Sequence, residues 1–198
     1  MKGNFYVIGI GASAGGQHAL TEFFSSLPTD INAAFFVITH LPRNHVSQLS
    51  RIISRFTKIP TTRMKGREMI RPQHIYVLPE DALATIENDQ LVLRRRPQEN
   101  IVNYAIDEFF VSLAHAYGEK AIGIIFSGMG SDGAKGSAVI HEHGGKVLVQ
   151  EPHSATFQSM PWAAIQADHP TGIFKPTELG KHLHEYLTEK TRSKVLNT

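Results

Sequence analysis

The amino-acid sequence predicts an α/β fold: a doubly wound, mostly parallel sheet with helices on both faces and an antiparallel β-hairpin excursion. Three observations carry this expectation. Short apolar runs alternate with stretches whose apolar residues recur at helical spacing, the rhythm of successive β-α-β units. The apolar runs are close to continuous rather than alternating, as strands buried on both faces are. One central stretch breaks the rhythm with two short apolar runs joined through Glu87-Asn88-Asp89-Gln90, the pattern of a hairpin.

Residues 5–10 form an apolar run ending in glycines, and residues 17–24 can be helical before Leu27-Pro28, which gives strand, turn and helix. Residues 33–39 make a second strand. After it, Asn44 is placed to cap a helix through Val46, Leu49, Ile53 and Phe56. Residues 73–78 read as a strand and residues 83–86 and 91–93 as the hairpin. An amphipathic helix over residues 102–117, with Phe109 and Phe110 in the core, meets a stop at Gly118. The β-α-β rhythm then resumes with a strand over 121–127, a helix over 134–143 and a strand over 146–150. A short helix over 160–166, a strand over 171–174 and a helix over 177–190 close the chain, with 191–198 as a loose tail.

A chain of 198 residues that is 41% hydrophobic can build one sizeable core, so residues 1–198 read as a single domain with an ordered core of about 5–190. Lys+Arg of 20 against Asp+Glu of 18 is too balanced to argue for nucleic acid as the partner. Cysteine is absent, which excludes a disulfide framework and a thiolate nucleophile and points to a reducing cytoplasm. The apolar run after Met1 is too short for a signal peptide or a membrane span, so no membrane insertion is expected. His141 with His143, and His182 with His184, stand two apart on predicted helices and do not share a face; no metal and no cofactor is assigned. The run Arg94-Arg95-Arg96 reads as a solvated loop at the end of the hairpin.

Ligands of doubly wound sheets bind beyond the carboxyl ends of the strands. Three such ends carry reactive residues: Ser13 within Gly11-Ala12-Ser13-Ala14-Gly15-Gly16, His40 after Thr39, and Asp132 within Gly128-Met129-Gly130-Ser131-Asp132-Gly133. A G-x-S-x-G turn, here with Gly11 and Gly15, exposes a serine on a sharp bend beside a helix N-terminus. A serine hydroxyl needs an imidazole base, and the imidazole needs a carboxylate to orient it. Other readings exist for each residue. Gly9, Gly11 and Ala14 also fit a dinucleotide fingerprint, although the second strand ends in Thr39-His40 rather than in the acid that binds ribose. Taken alone, Asp132 reads as a cap for the helix starting near Ala134.

Gly9-x-Gly11-Ala12-Ser13-x-Gly15-Gly16, Thr39-His40-Leu41-Pro42 and Gly128-Met129-Gly130-Ser131-Asp132-Gly133 together resemble the catalytic domain of the chemotaxis protein-glutamate methylesterases. Residues 72–79, Gln150-Glu151-Pro152-x-Ser154-Ala155 and Met160-Pro161 extend the likeness over nearly the whole chain. The resemblance implies Ser13, His40 and Asp132 as catalytic serine, histidine and aspartate, with backbone N–H groups of Ala14 and Met129 near the oxyanion. It implies glutamyl methyl esters on chemoreceptors or related signalling proteins as substrate, with glutamine deamidation as a companion activity. Two departures stand out: Ala14 where the family commonly has threonine, and Asn103-Tyr104-Ala105-Ile106-Asp107 where stand-alone enzymes carry Arg-Pro-Ser-hydrophobic-Asp. The stretch Ile106-Asp107-Glu108-Phe109-Phe110 looks more like the esterase modules fused to methyltransferases and sensor domains. Because the first strand starts near Phe5, the family's receiver domain is not expected within this chain. The rival readings are a non-catalytic signalling module of the same fold and a dinucleotide-binding oxidoreductase.

Overall fold

A computed structural model of the chain describes residues 4–40, 46–97, 104–168 and 170–195. The chain opens with β1 (Tyr6–Ala12), α1 (Gly16–Ser26), β2 (Ala33–Thr39) and α2 (Leu49–Ile53). It continues through β3 (Thr61–Arg63), β4 (Glu68–Met69), β5 (His74–Val77), β6 (Ala82–Glu87) and β7 (Gln90–Arg95). The second half is α3 (Ala105–Tyr117), β8 (Ala121–Ile125), α4 (Ala134–Glu142), β9 (Lys146–Gln150), α5 (Ser159–Ala167), β10 (Gly172–Phe174) and α6 (Pro176–Val195).

Seven strands form one sheet in the order β10-β9-β8-β1-β2-β5-β3, and every pair in it is parallel. The period of two along each strand divides the core. Ile8, Ile10 and Ala12 of β1 face one side with Leu20, Phe23 and Phe24 of α1 and Leu179 and Leu183 of α6. Val7 faces the other side with Ile106, Phe109 and Phe110 of α3 and Ile140 of α4. On that second side Gly9 and Gly11 lack the side chain that would stand in α3: a Cβ at Gly9 would lie 2.8 Å from Phe110 Cε1, and one at Gly11 2.5 Å from Ile106 Cγ2. The two glycines set how closely α3 approaches the sheet. They are mid-strand residues, so they do not form the phosphate-binding turn that the dinucleotide reading requires.

From β1 the chain builds outward through β2 in one direction and later through β8 in the other. The sheet therefore has a switch in strand order at β1, and the crevice beyond the ends of β1 and β8 is where such sheets bind ligands.

The hairpin forms an antiparallel excursion, as expected: β6 pairs with β7, and β7 with β4, in a separate sheet of three strands. It docks on α3, where Ile86 N–H donates to Ser112 Oγ at 3.1 Å. Glu87 and Gln90 pair across the ladder, which leaves a two-residue turn of Asn88 and Asp89 at φ 50° and 62°. That is the twist a tight hairpin needs. The helix expected from Asn44 is confined to α2, because Val46 (74% exposed) and Phe56 (46%) lie outside it and do not join the core. Asn44 falls outside the described residues, and Ser47 Oγ accepts the Leu49 N–H at 3.1 Å where α2 begins. The expected loose tail is helical as far as Val195, since no glycine or proline interrupts the chain after Lys181. Arg94 and Arg95 are strand residues of β7 rather than a free loop; Arg94 pairs with Glu108, and Arg95 Nε meets Asp81 Oδ2 at 2.9 Å.

Candidate active site

β1 ends at Ala12 and the chain turns at Ser13-Ala14-Gly15 into α1. Ser13 N–H donates to Ser127 O at 3.0 Å, one step beyond the β1–β8 ladder, and Gly16 N–H closes the turn on Ser13 O at 3.0 Å. Gly15 holds φ at 73°, a conformation costly for residues with a side chain, and a Cβ there would lie 2.6 Å from Thr156 Cβ. The turn thus rests on Gly15, whereas Gly11 stays inside β1. Ser13 is half-buried at the head of a helix whose first N–H groups point outward from its N-terminus.

His40 follows β2 directly. Its N–H reaches Ala12 O at 3.3 Å, which extends the β1–β2 register and sets His40 alongside Ser13. Leu41 and Pro42 of the same motif lie outside the described residues. Asp132 comes from the loop after β8 and is only 6% exposed. Its Oδ2 accepts His40 Nε2–H at 2.6 Å and Ile106 N–H at 2.9 Å, and its Oδ1 accepts Asp107 N–H at 2.9 Å. The carboxylate is therefore seated on the N-terminus of α3, where unpaired N–H groups and the helix dipole stabilise negative charge. A carboxylate only accepts, so Nε2 of His40 carries a proton; in the neutral ring Nδ1 then holds the lone pair, the tautomer a general base requires. Among the described residues no hydrogen bond joins Ser13 Oγ to the imidazole; such contacts often form only once substrate is bound.

The reading of Asp132 as a cap for α4 is overturned. Gly133, at φ 94°, occupies the cap position of α4 without a side-chain bond. The donors at that end are met by Asp107, whose Oδ1 accepts Gly133 N–H at 2.9 Å and Gly136 N–H at 2.7 Å. Burial and the neighbouring Asp132 charge push the Asp107 carboxyl above the usual carboxylate range, against the opposing pull of the Gly136 N–H, the Gly133 N–H and Lys135. Among the described residues neither Ala14 N–H nor Met129 N–H meets a protein acceptor, whereas Gly128 N–H is bonded to Phe157 O at 3.1 Å. Two backbone donors, one on the Ser13 turn and one on the loop after β8, thus have no protein acceptor among the described residues.

The model of the CheB methylesterase family matches residues 8–183. The chain belongs to the CheB methylesterase family. The protein-glutamate methylesterase/protein-glutamine glutaminase 1 of Rhodospirillum rubrum is 34% identical over 166 residues, covering 81% of this chain and 43% of that protein. A Leptospira interrogans protein named putative protein-glutamate methylesterase/protein-glutamine glutaminase is 31% identical over 180 residues, covering 89% of this chain and 93% of its own length. The chain spans less than half the length of the Rhodospirillum rubrum protein and of its Maricaulis maris counterpart, 43% and 44%. The crystal structure of the Thermotoga maritima CheB methylesterase catalytic domain superposes with a TM-score of 0.83 at 22% identity, covering 93% of this chain and all of that one. That likeness is one of fold.

In this CheB-family chain, residues that sequence reasoning did not single out individually brace the Ser13 turn. Ser127 is 1% exposed; its hydroxyl donates to Ala14 O at 2.9 Å and accepts Phe157 N–H at 3.0 Å. Gln150, 2% exposed, accepts Ser127 N–H through Oε1 at 2.8 Å and donates through Nε2 to Ser154 Oγ at 3.2 Å. The segment from Gln150 to Ser154, read above as family-like, thereby acquires a physical role. Buried polar groups in such a chain cost free energy once a partner is lost. Ser127→Ala, which strands Phe157 N–H and Ala14 O, is expected to lower stability by about 1–3 kcal/mol. A thermal melt with an unchanged midpoint would show that this hydroxyl braces nothing.

The histidine pairs do not converge on a metal site. His141 Nδ1 meets Asp168 Oδ2 at 2.5 Å, His143 Nδ1 donates to Val139 O at 2.9 Å, and His184 Nε2 stands 3.4 Å from Asp30 Oδ1. Among the described residues no group of three or more His, Asp or Glu side chains is placed to hold a metal ion.

Proposed function

We propose that this chain hydrolyses glutamyl methyl esters on a chemoreceptor or related signalling protein, with Ser13 as nucleophile, His40 as base and Asp132 as its orienting partner. The observation that carries the reading is the His40 Nε2–Asp132 Oδ2 bond at the switch in strand order, with Ser13 on the adjoining turn. Family membership and the names of the relatives support the substrate class.

In this reading Nδ1 of His40 takes the Ser13 proton as Oγ attacks the ester carbonyl. Charge gathers on the carbonyl oxygen, which the Ala14 and Met129 N–H groups receive. The C–O bond breaks, His40 returns the proton to the departing methoxide, and methanol leaves a glutamyl-serine ester. Water, deprotonated by His40, then attacks that ester and frees Ser13 and a glutamate carboxylate. The same attack on a glutamine side chain would release ammonia. An oxyanion donor is typically worth about 10² to 10³ in rate. Among the described residues no helix is long and apolar enough to cross a membrane.

The test is methanol release from methylated receptor helices and from generic methyl esters. Release from the receptor helices alone supports the proposed substrate. Release from generic esters alone keeps the chemistry and rejects the receptor. No release from folded protein with either would favour the binding-module reading.

A further inference from the structure

Asp132 and Asp107 each satisfy the helix that the other precedes or begins. Asp132, in the loop before α4, accepts the N–H groups of Ile106 and Asp107 in the first turn of α3. Asp107, in that same first turn of α3, accepts the N–H groups of Gly133 and Gly136 where α4 begins. Four backbone donors that helix geometry leaves without intrahelical partners are thus met by two carboxylates in exchange. The exchange ties two helix ends that lie about 25 residues apart in sequence.

The consequence falls on the loop from Gly128 to Gly133. On one side its conformation is held by Gly128 N–H to Phe157 O and by Met160 N–H to Gly128 O. On the other it is held through Gly133, whose N–H is bonded to Asp107. Between those anchors the loop carries Asp132 and the Met129 N–H, and it turns at Gly130, whose φ of 86° favours glycine. Without the Asp107 carboxylate, the Asp132 end of the loop, at the head of α4, would lose its Gly133 and Gly136 bonds to α3.

We propose that Asp107 is a positioning residue of this active site: by anchoring the head of α4 it holds Asp132 against His40 and fixes the Met129 N–H. The assignment rests on the triad reading above. Asp107 touches neither substrate nor reacting atoms, and its action is routed through Asp132. The titratable groups facing the pair are His40 from the end of β2 and Lys135 from α4, while Glu108 on α3 is tied to Arg94 of β7.

Two substitutions separate geometry from charge. Asp107→Ala removes both acceptor bonds. It is expected to lower kcat by about 10²-fold with KM little changed, the scale on which a displaced catalytic group acts. Asp107→Asn keeps an oxygen that can accept from Gly133 and Gly136 but removes the charge. It should recover most of the lost turnover. Methanol release read as kcat and KM separately gives the first readout, and a thermal melt of each variant shows that the fold is kept. Ser13→Ala in the same assay reports on the triad reading separately. If both Asp107 variants fold and keep kcat, Asp107 is only a helix cap and the assignment falls.

Discussion

Ser13→Ala is expected to lower methanol release from methylated receptor helices by at least ~10³-fold, since covalent catalysis and its coupled proton transfer both disappear with the hydroxyl. The fold should survive. Ser13 is half-buried, and the bonds that shape its turn run through backbone atoms, from its own N–H to Ser127 O and from Gly16 N–H to its own carbonyl. The substitution leaves both in place. A melt within a degree or two of the wild type together with lost turnover would assign the nucleophile. Unchanged turnover would remove Ser13 from the mechanism and with it the case built on the turn.

Asp132→Asn should be nearly as damaging, and the structure says why an isosteric change cannot be silent. The Oδ2 position receives two donors, His40 Nε2–H and Ile106 N–H, while the Oδ1 position receives one, Asp107 N–H. An amide offers one acceptor oxygen and one donor NH2. Placed with its oxygen toward His40, it sets NH2 against the Asp107 N–H; placed the other way, it sets NH2 against two donors. Either orientation leaves a donor–donor conflict in a site only 6% exposed. The expected cost is a kcat lower by about 10² to 10⁴, as the imidazole loses its orienting charge. A stability loss of about 1–3 kcal/mol should accompany it from the stranded N–H. Single-turnover rates on protein shown to be folded at the assay temperature check both parts. Full kcat would mean that the carboxylate serves the helix and not the imidazole.

The Asp107 carboxyl bears on stability as a function of pH. Its folded-state value is raised, chiefly by burial, so the folded chain holds this proton more tightly than the unfolded chain does. The associated stabilisation is complete below the ordinary aspartate range and is lost as pH rises through the raised value. Asp107→Asn removes that dependence, so the two stability curves should draw apart through this window. Parallel curves in urea titrations at several pH values would show that the group contributes nothing to it.

The strands and helices that build the main sheet could be read because their signals are local. Residues 33–39 and 146–150 are apolar runs between turns, and the structure places β2 and β9 on those same residues. The helix through Phe109 and Phe110 ends at Gly118 as its spacing required. The strands β3 and β4 went unread, since three and two residues are too few to show a period. The helix from Asn44 was overestimated for a related reason. Val46 and Phe56 match the spacing, yet burial, which only the assembled fold assigns, leaves both exposed.

By itself the sequence determined the α/β class, the order of most elements, and the presence of a serine, a histidine and an aspartate at strand ends, because periodicity and turn chemistry are written within a dozen residues. Which of two sets of helix donors each aspartate would satisfy was decided by the tertiary structure alone. The pattern near Asp132 pointed to α4, and the fold turned that carboxylate across to α3 and to an imidazole 92 residues away in sequence. Both helix ends offer equivalent N–H donors locally. Only the packing of α3 against the sheet, made close by Gly9 and Gly11, brings the second one within reach.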